Sequence, residues 1–138
     1  MDHGKPMPKL TIRVDFDSGR SIGPGKIRLL EAIARTGSIR RAADAVGMSF
    51  RQAWLLLRAI EGTFDEPVVR TSKGGPNGGG STLTDFGQLV LASYRRLEGI
   101  TERATEVEMA PLVAHVRSAP GDGGLSRRGR YGRKSLKL

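Results

Sequence analysis

The stretch Ser38-Ile39-Arg40-Arg41-Ala42-Ala43-Asp44-Ala45-Val46-Gly47-Met48-Ser49-Phe50-Arg51-Gln52-Ala53-Trp54-Leu55-Leu56-Leu57-Arg58-Ala59-Ile60 decides the fold. Ile39, Ala42, Ala43 and Val46 recur at i, i+3, i+4 and i+7, the spacing of one helical face. Ser38 stands where a side-chain cap belongs and Gly47 where a helix ends. A second apolar stripe, Ala53, Leu57, Ile60 and Phe64, begins after Gly47-Met48-Ser49. Ser49 followed by Gln52 has the form of a capping box. Two short helices joined by so brief a turn, with glycine in it, form a helix-turn-helix pattern. The small side chains of Ala42 and Ala43 allow the two helices a close approach.

At about 100° per residue, Leu57, Ile60 and Phe64 fall within about 40° of Ala53. The opposite face of that helix carries Arg51, Leu55, Arg58 and Gly62, with Phe50 and Trp54 on one flank and Gln52 and Ala59 on the other. Such a face suits the major groove of DNA. Arginine pairs bidentately with guanine, the Gln52 amide suits adenine, and Leu55 suits a thymine methyl. Arg40 and Arg41 occupy the first turn of the preceding helix, where the positive end of the dipole disfavours them unless a phosphate arrives there. Ser38, Arg40, Arg41, Ser49, Phe50, Arg51, Gln52, Leu55 and Arg58 are therefore expected at a DNA surface. Trp54 is expected to brace the wing or the edge of the core, with DNA contact as the second reading.

A β-hairpin is predicted next. Pro67-Val68-Val69-Arg70-Thr71 reads as one strand and Ser81-Thr82-Leu83 as its return, around a tip with five glycines from Ser72 to Gly80. A hairpin directly after the second helix is the winged version of the pattern. Arg70, Lys73 and Asn77 are its expected phosphate or minor-groove contacts, so the wing spans about residues 68–83. Upstream, Leu10 to Asp17 alternates strictly, with Leu10, Ile12, Val14 and Phe16 on one face of a half-buried strand, and Ser18-Gly19-Arg20 turns the chain out. A helix after Gly23-Pro24-Gly25 carries Ile27, Leu29, Leu30, Ile33 and Ala34 inward and stops at Gly37. A long last helix is expected from Thr84 to about Met109, ahead of Pro111. Val90, Leu97, Ile100, Ala104 and Val107 line its apolar side, with coiled-coil steps of three, four and three from Leu97. The expected class is mainly α with a small β wing: a winged helix-turn-helix with an N-terminal strand and a long C-terminal dimerisation helix. Residues 1–9 are expected to be a disordered lead and 111–138 a disordered basic tail.

Composition narrows the function. The net charge of +9 points to nucleic acid, yet from Arg117 onward lie seven Lys/Arg and one acid, against 16 and 13 before it. The body is thus only mildly basic. There is no cysteine, which excludes disulfides, thiolate catalysis and cysteine zinc sites. No apolar run spans a membrane, and the first residues lack a secretory apolar core, so a cytoplasmic location is expected. His3 and His115 are isolated in sequence. The glycine loop imitates a phosphate cradle, but Gly80 stands where the lysine belongs. No enzyme, metal or cofactor is expected.

Several stretches together resemble the LysR-type DNA-binding domain: Gly37-Ser38-Ile39, Ala42-Ala43, the helix reaching Ile60-Glu61, and Leu83-Thr84-Asp85-Phe86-Gly87. The leading strand, Ser49-Phe50-Arg51-Gln52-Ala53-Trp54 and the glycine-rich wing are similar to the N-terminal domain of the molybdate-responsive ModE-type regulators. The resemblance covers about Leu10 to Val107. It implies a winged-helix homodimer on a palindromic operator, with the last helix and the first strand in the interface, and repression of molybdate-uptake genes as the role. The family's molybdate-binding β-barrel domains would follow the last helix. About thirty residues remain there, so direct molybdate sensing is not expected of this chain. Two alternatives stay open: a sequence-tolerant nucleic-acid binder driven by the basic tail, and a sensor-less dimerisation partner of a full-length homologue.

Overall fold

The computed structural model describes residues 7–73 and 80–118. Asn77, the tip of the wing, the start of the lead and the tail beyond Ser118 lie outside them. Residues Leu10–Thr101 form one compact unit, and Glu102 onward belongs to a second.

Three helices make the centre of the first unit. Helix α1 (Pro24–Thr36) starts on its proline and ends at Gly37, whose φ of 71° returns its N–H to the Ile33 carbonyl. Helix α2 (Ile39–Val46) is capped by Ser38, whose Oγ accepts the Arg41 N–H at 3.1 Å, and closes at Gly47 with φ 77°. Helix α3 (Phe50–Glu61) is capped by Ser49 through the Gln52 N–H at 3.0 Å. These four caps, Gly37, Ser38, Gly47 and Ser49, fall where the sequence places them. The α1 helix is the hub, packed against α2, α3 and the wing. Ile27, Leu29, Leu30, Ala32 and Ile33 are all buried, so it has a wide apolar surface rather than one stripe. Ala34, expected inside, is exposed near the helix end, and Ala32 takes its place.

The N-terminal strand departs from expectation. Regular pairing is confined to β1 (Val14–Asp17), which folds back on β2 (Arg20–Ile22) with Val14 opposite Ile22. Ser18-Gly19-Arg20 is thus a hairpin turn rather than an exit. Asp17 holds it, accepting from the Gly19 N–H at 3.1 Å and from the Arg20 guanidinium. That guanidinium keeps the Asp17 carboxyl below its ordinary pKa, with the Gly19 N–H adding to the effect. Phe16 is half exposed, its ring edge-on to Phe64, which in turn meets Phe86. Phe64 lies past the end of α3 but packs against the core as its place in the apolar stripe implies.

The wing consists of β3 (Val69–Thr71) and β4 (Ser81–Leu83), antiparallel, with Val69 opposite Leu83 and Arg70 opposite Thr82. The Ser81 N–H reaches the Gly37 carbonyl at 2.8 Å and ties the wing to the end of α1. Helix α4 (Asp85–Ala104) begins beside it. Thr84 joins these parts. Its hydroxyl donates to the Pro67 carbonyl at 2.6 Å and accepts the Gly87 N–H at 3.0 Å, while its own N–H reaches the Val68 carbonyl at 3.0 Å. Glu61 completes the junction by accepting the Val68 N–H at 3.0 Å. Farther along α4, the buried Tyr94 hydroxyl donates to the Ile12 carbonyl at 2.6 Å. Arg95 there forks onto the Glu31 carboxylate of α1 and also meets Glu98.

The last helix is not continuous to Met109. It ends at Ala104, and a separate helix α5 (Glu106–Ala114) follows Thr105. Pro111 lies inside α5 instead of beyond the helix end. The expected tail from 111 therefore starts as helix. As the sixth residue of α5, Pro111 leaves the Val107 carbonyl without its usual i→i−4 donor.

Candidate nucleic-acid interface

A side-chain contact links the N-terminal turns of the two helices. The Arg40 guanidinium lies over the Phe50 ring, 4.2 Å from its centre, and so bridges the first turn of α2 to the first residue of α3. Phe50 meets Trp54 edge-on at 6.1 Å between ring centres. Neither helix has an acidic residue in its first turn. Ser38 and Ser49 each satisfy one backbone N–H, and the positive ends of both dipoles are otherwise left without a carboxylate.

Arg40, Arg41, Arg51, Gln52 and Arg58 are exposed, as are Phe50, Trp54 and Leu55. Arg70 stands on the solvent side of β3 opposite Thr82, and Lys73 is exposed just beyond that strand. Ser38 is half-buried and serves chiefly as a cap. Among the described residues the ion pairs are Arg13–Asp15, Arg20–Asp17 and Arg95 with Glu31 and Glu98. None engages the arginines of α2, α3 or β3. The cations at that end keep their full donor capacity toward an outside acceptor. The outward side of α3 thus combines unpaired guanidiniums, one amide and three large apolar side chains. That mixture can meet phosphate oxygens, base edges and thymine methyls together.

The predicted interface residues of α4 divide. Val90 is 6% exposed and packs in the core of its own unit. With so little of it open, it offers a partner less surface than Leu97 or Ile100. Leu97 and Ile100 are exposed on α4, Ala104 ends that helix, and Val107 is exposed on α5. An apolar groove of about 260 Å³ is lined by Val14, Phe16, Phe86, Leu89 and Leu97 among others. No group of His, Cys, Asp or Glu among the described residues is arranged to hold a metal. No helix among them is long and apolar enough to cross a membrane. Reasoning from sequence alone missed the Arg40–Phe50 stack and the openness of Trp54. The helical projection puts Trp54 on a flank, about 40° from Arg58, and that nearness to the outward face is the available signal.

Comparison with known proteins agrees with this geometry. Residues 25–88 match the model of the bacterial regulatory helix-turn-helix proteins of the lysR family. The chain is 39% identical over 112 residues to the molybdenum transport protein ModE of Azotobacter vinelandii, covering 75% of this chain and 42% of that one. It is 41% identical over 86 residues to the molybdenum-pterin-binding protein MopA of Rhodobacter capsulatus, covering 62% and 32%. It is 34% identical over 84 residues to the DNA-binding transcriptional dual regulator ModE of Escherichia coli K12, covering 61% and 32%. The chain therefore spans less than half the length of these curated relatives.

Proposed function

We propose that this chain, which carries a lysR-family regulatory helix-turn-helix of the ModE type over residues 25–88, is a transcription regulator that binds double-stranded DNA with α3 in the major groove. The observation that carries the proposal is the set of exposed guanidiniums at Arg40, Arg41, Arg51 and Arg58, none with a carboxylate partner, grouped on the two helices of the turn. Arg51, Gln52, Leu55 and Arg58 face base edges. Ser38, Arg40, Arg41, Ser49 and Phe50 line the approach to the phosphates. The wing, through Arg70 and Lys73 and with Asn77 at its tip, follows the backbone or minor groove. The names of the relatives direct attention to genes of molybdenum uptake and use as targets.

The chain acts as a homodimer in this proposal. Support comes from Phe16, Leu89 and Leu97, large apolar groups left exposed in the lining of the β1–α4 groove, and from Ile100, exposed three residues beyond Leu97 on α4. Two copies related by a two-fold axis match a palindromic site with half-sites about one helical turn apart. Footprinting across DNA of the chain's own genomic neighbourhood tests the reading. A protected palindrome is the expected result. Equal, unpatterned binding to all sequences would contradict it and favour binding through the basic tail.

A further inference from the structure

The outward side of α3 is unusually apolar for a surface meant only for phosphate. At about 100° per residue, Trp54, Arg58, Arg51 and Leu55 follow one another around the helix within about 100° of arc. In that projection the arginines fall between the two apolar side chains, while along the axis, at about 1.5 Å per residue, Trp54 and Leu55 stand between Arg51 and Arg58; both apolar groups are open, Trp54 41% exposed and Leu55 55%. Phe50, 36% exposed, borders Trp54 and is covered on its face by Arg40. Water around these groups is unfavourable in the free protein, and an apolar partner would release it. The surrounding charge is cationic and unpaired, which selects a polyanion as the molecule carrying that partner. In the major groove the apolar feature of a base pair is the C5-methyl of thymine.

We propose that Leu55 and Trp54 read thymine methyls between the bases met by Arg51 and Arg58. The Arg40–Phe50 stack is the positioning contact that fixes the Trp54 ring through its edge-on neighbour. This deepens the DNA-binding reading and rests on it. It makes specificity depend on apolar contacts as well as on arginine hydrogen bonds. It also predicts a site in which thymines lie between the arginine-read bases.

The test uses the full chain and the duplex recovered by footprinting, with each thymine replaced in turn by deoxyuridine. That change deletes one methyl and leaves every hydrogen-bonding edge intact. Affinity is expected to fall about fourfold at each thymine whose methyl is buried, and to stay unchanged elsewhere. Leu55→Ala, at an exposed position that does not endanger folding, is expected to abolish the thymine–uracil difference at its own positions and keep it at those of Trp54. Trp54 is the chain's one tryptophan, so its emission is expected to change on binding the thymine duplex. Equal affinity for thymine and uracil at every position, in a protein that still binds the duplex, overturns this inference alone. A Leu55→Ala variant with unaltered affinity and unaltered thymine preference also overturns it, and assigns the patch to another partner. Failure to bind any duplex overturns the DNA-binding reading with it.

Discussion

Gly87→Ala is the substitution on which the packing of α4 depends most sharply. A Cβ built on Gly87 would stand 2.1 Å from the Val68 carbonyl oxygen, 3.0 Å from the Val68 carbon and 3.3 Å from the Leu83 Cβ. Real Cβ contacts do not fall below 3.0 Å, so helix and wing base must separate by about 1 Å. The obstructing atom is backbone and cannot rotate away. That separation works against the three hydrogen bonds of Thr84, to Pro67, Val68 and Gly87, which lie in the same junction. Overpacking of this kind costs about 1–3 kcal/mol. Weakening two of the hydrogen bonds adds about 2 kcal/mol. Alanine's better helix propensity returns about 1 kcal/mol. The net expectation is a loss of about 2–4 kcal/mol, read as a lower urea midpoint by circular dichroism at constant m. A variant as stable as the parent, or more stable by the propensity gain, would refute the close approach of α4 to Val68.

Tyr94→Phe is expected to lose about 1 kcal/mol, because the Ile12 carbonyl loses its donor; urea unfolding of the two proteins measures it. Burial, and then the Glu98 charge, push the Tyr94 phenol up from its ordinary pKa of 10.0. The stability due to the un-ionised hydroxyl is therefore complete below pH 10 and is lost as pH rises through the folded value; this part of the alkaline decline should be missing in Tyr94→Phe. Ser49→Ala removes the side-chain cap of α3 and should cost about 1 kcal/mol. A thermal melt that does not move would deny the cap its role.

What was legible in the sequence was local. Ser38 and Ser49 cap, and Gly37 and Gly47 terminate, because each acts within one turn of chain whatever surrounds it. The wing strands emerged from Val69 and Leu83 because a glycine-rich loop between apolar runs has few other solutions. The strand β2 was hidden, since three residues ending at Gly23 give alternation no room to appear. The interruption at Thr105 is hidden as well, because Pro111 is the stop the sequence offers and nothing local marks the earlier one. Within the site, the exposed arginines followed from helical projection, whereas the Arg40–Phe50 stack needed the angle between two helices. The Glu61–Val68 and Thr84–Pro67 bonds join groups 7 and 17 residues apart, and only the tertiary fold brings them together. Leu83-Thr84-Asp85-Phe86-Gly87 stood out by resemblance before its junction supplied a physical reason for Thr84 and Gly87.

The central claim, that α3 reads base edges, is tested most directly by comparing the bound sequences selected from a random duplex pool by the parent chain and by Arg51→Ala. The side chain is exposed and is in no ion pair among the described residues, so the fold is expected to be retained. The account predicts that discrimination disappears at one base position per half-site, a loss of about 1–3 kcal/mol there, with affinity for unrelated DNA falling only as one lost charge requires. An Arg51→Ala protein that selects the same sequence with the same stringency would contradict it.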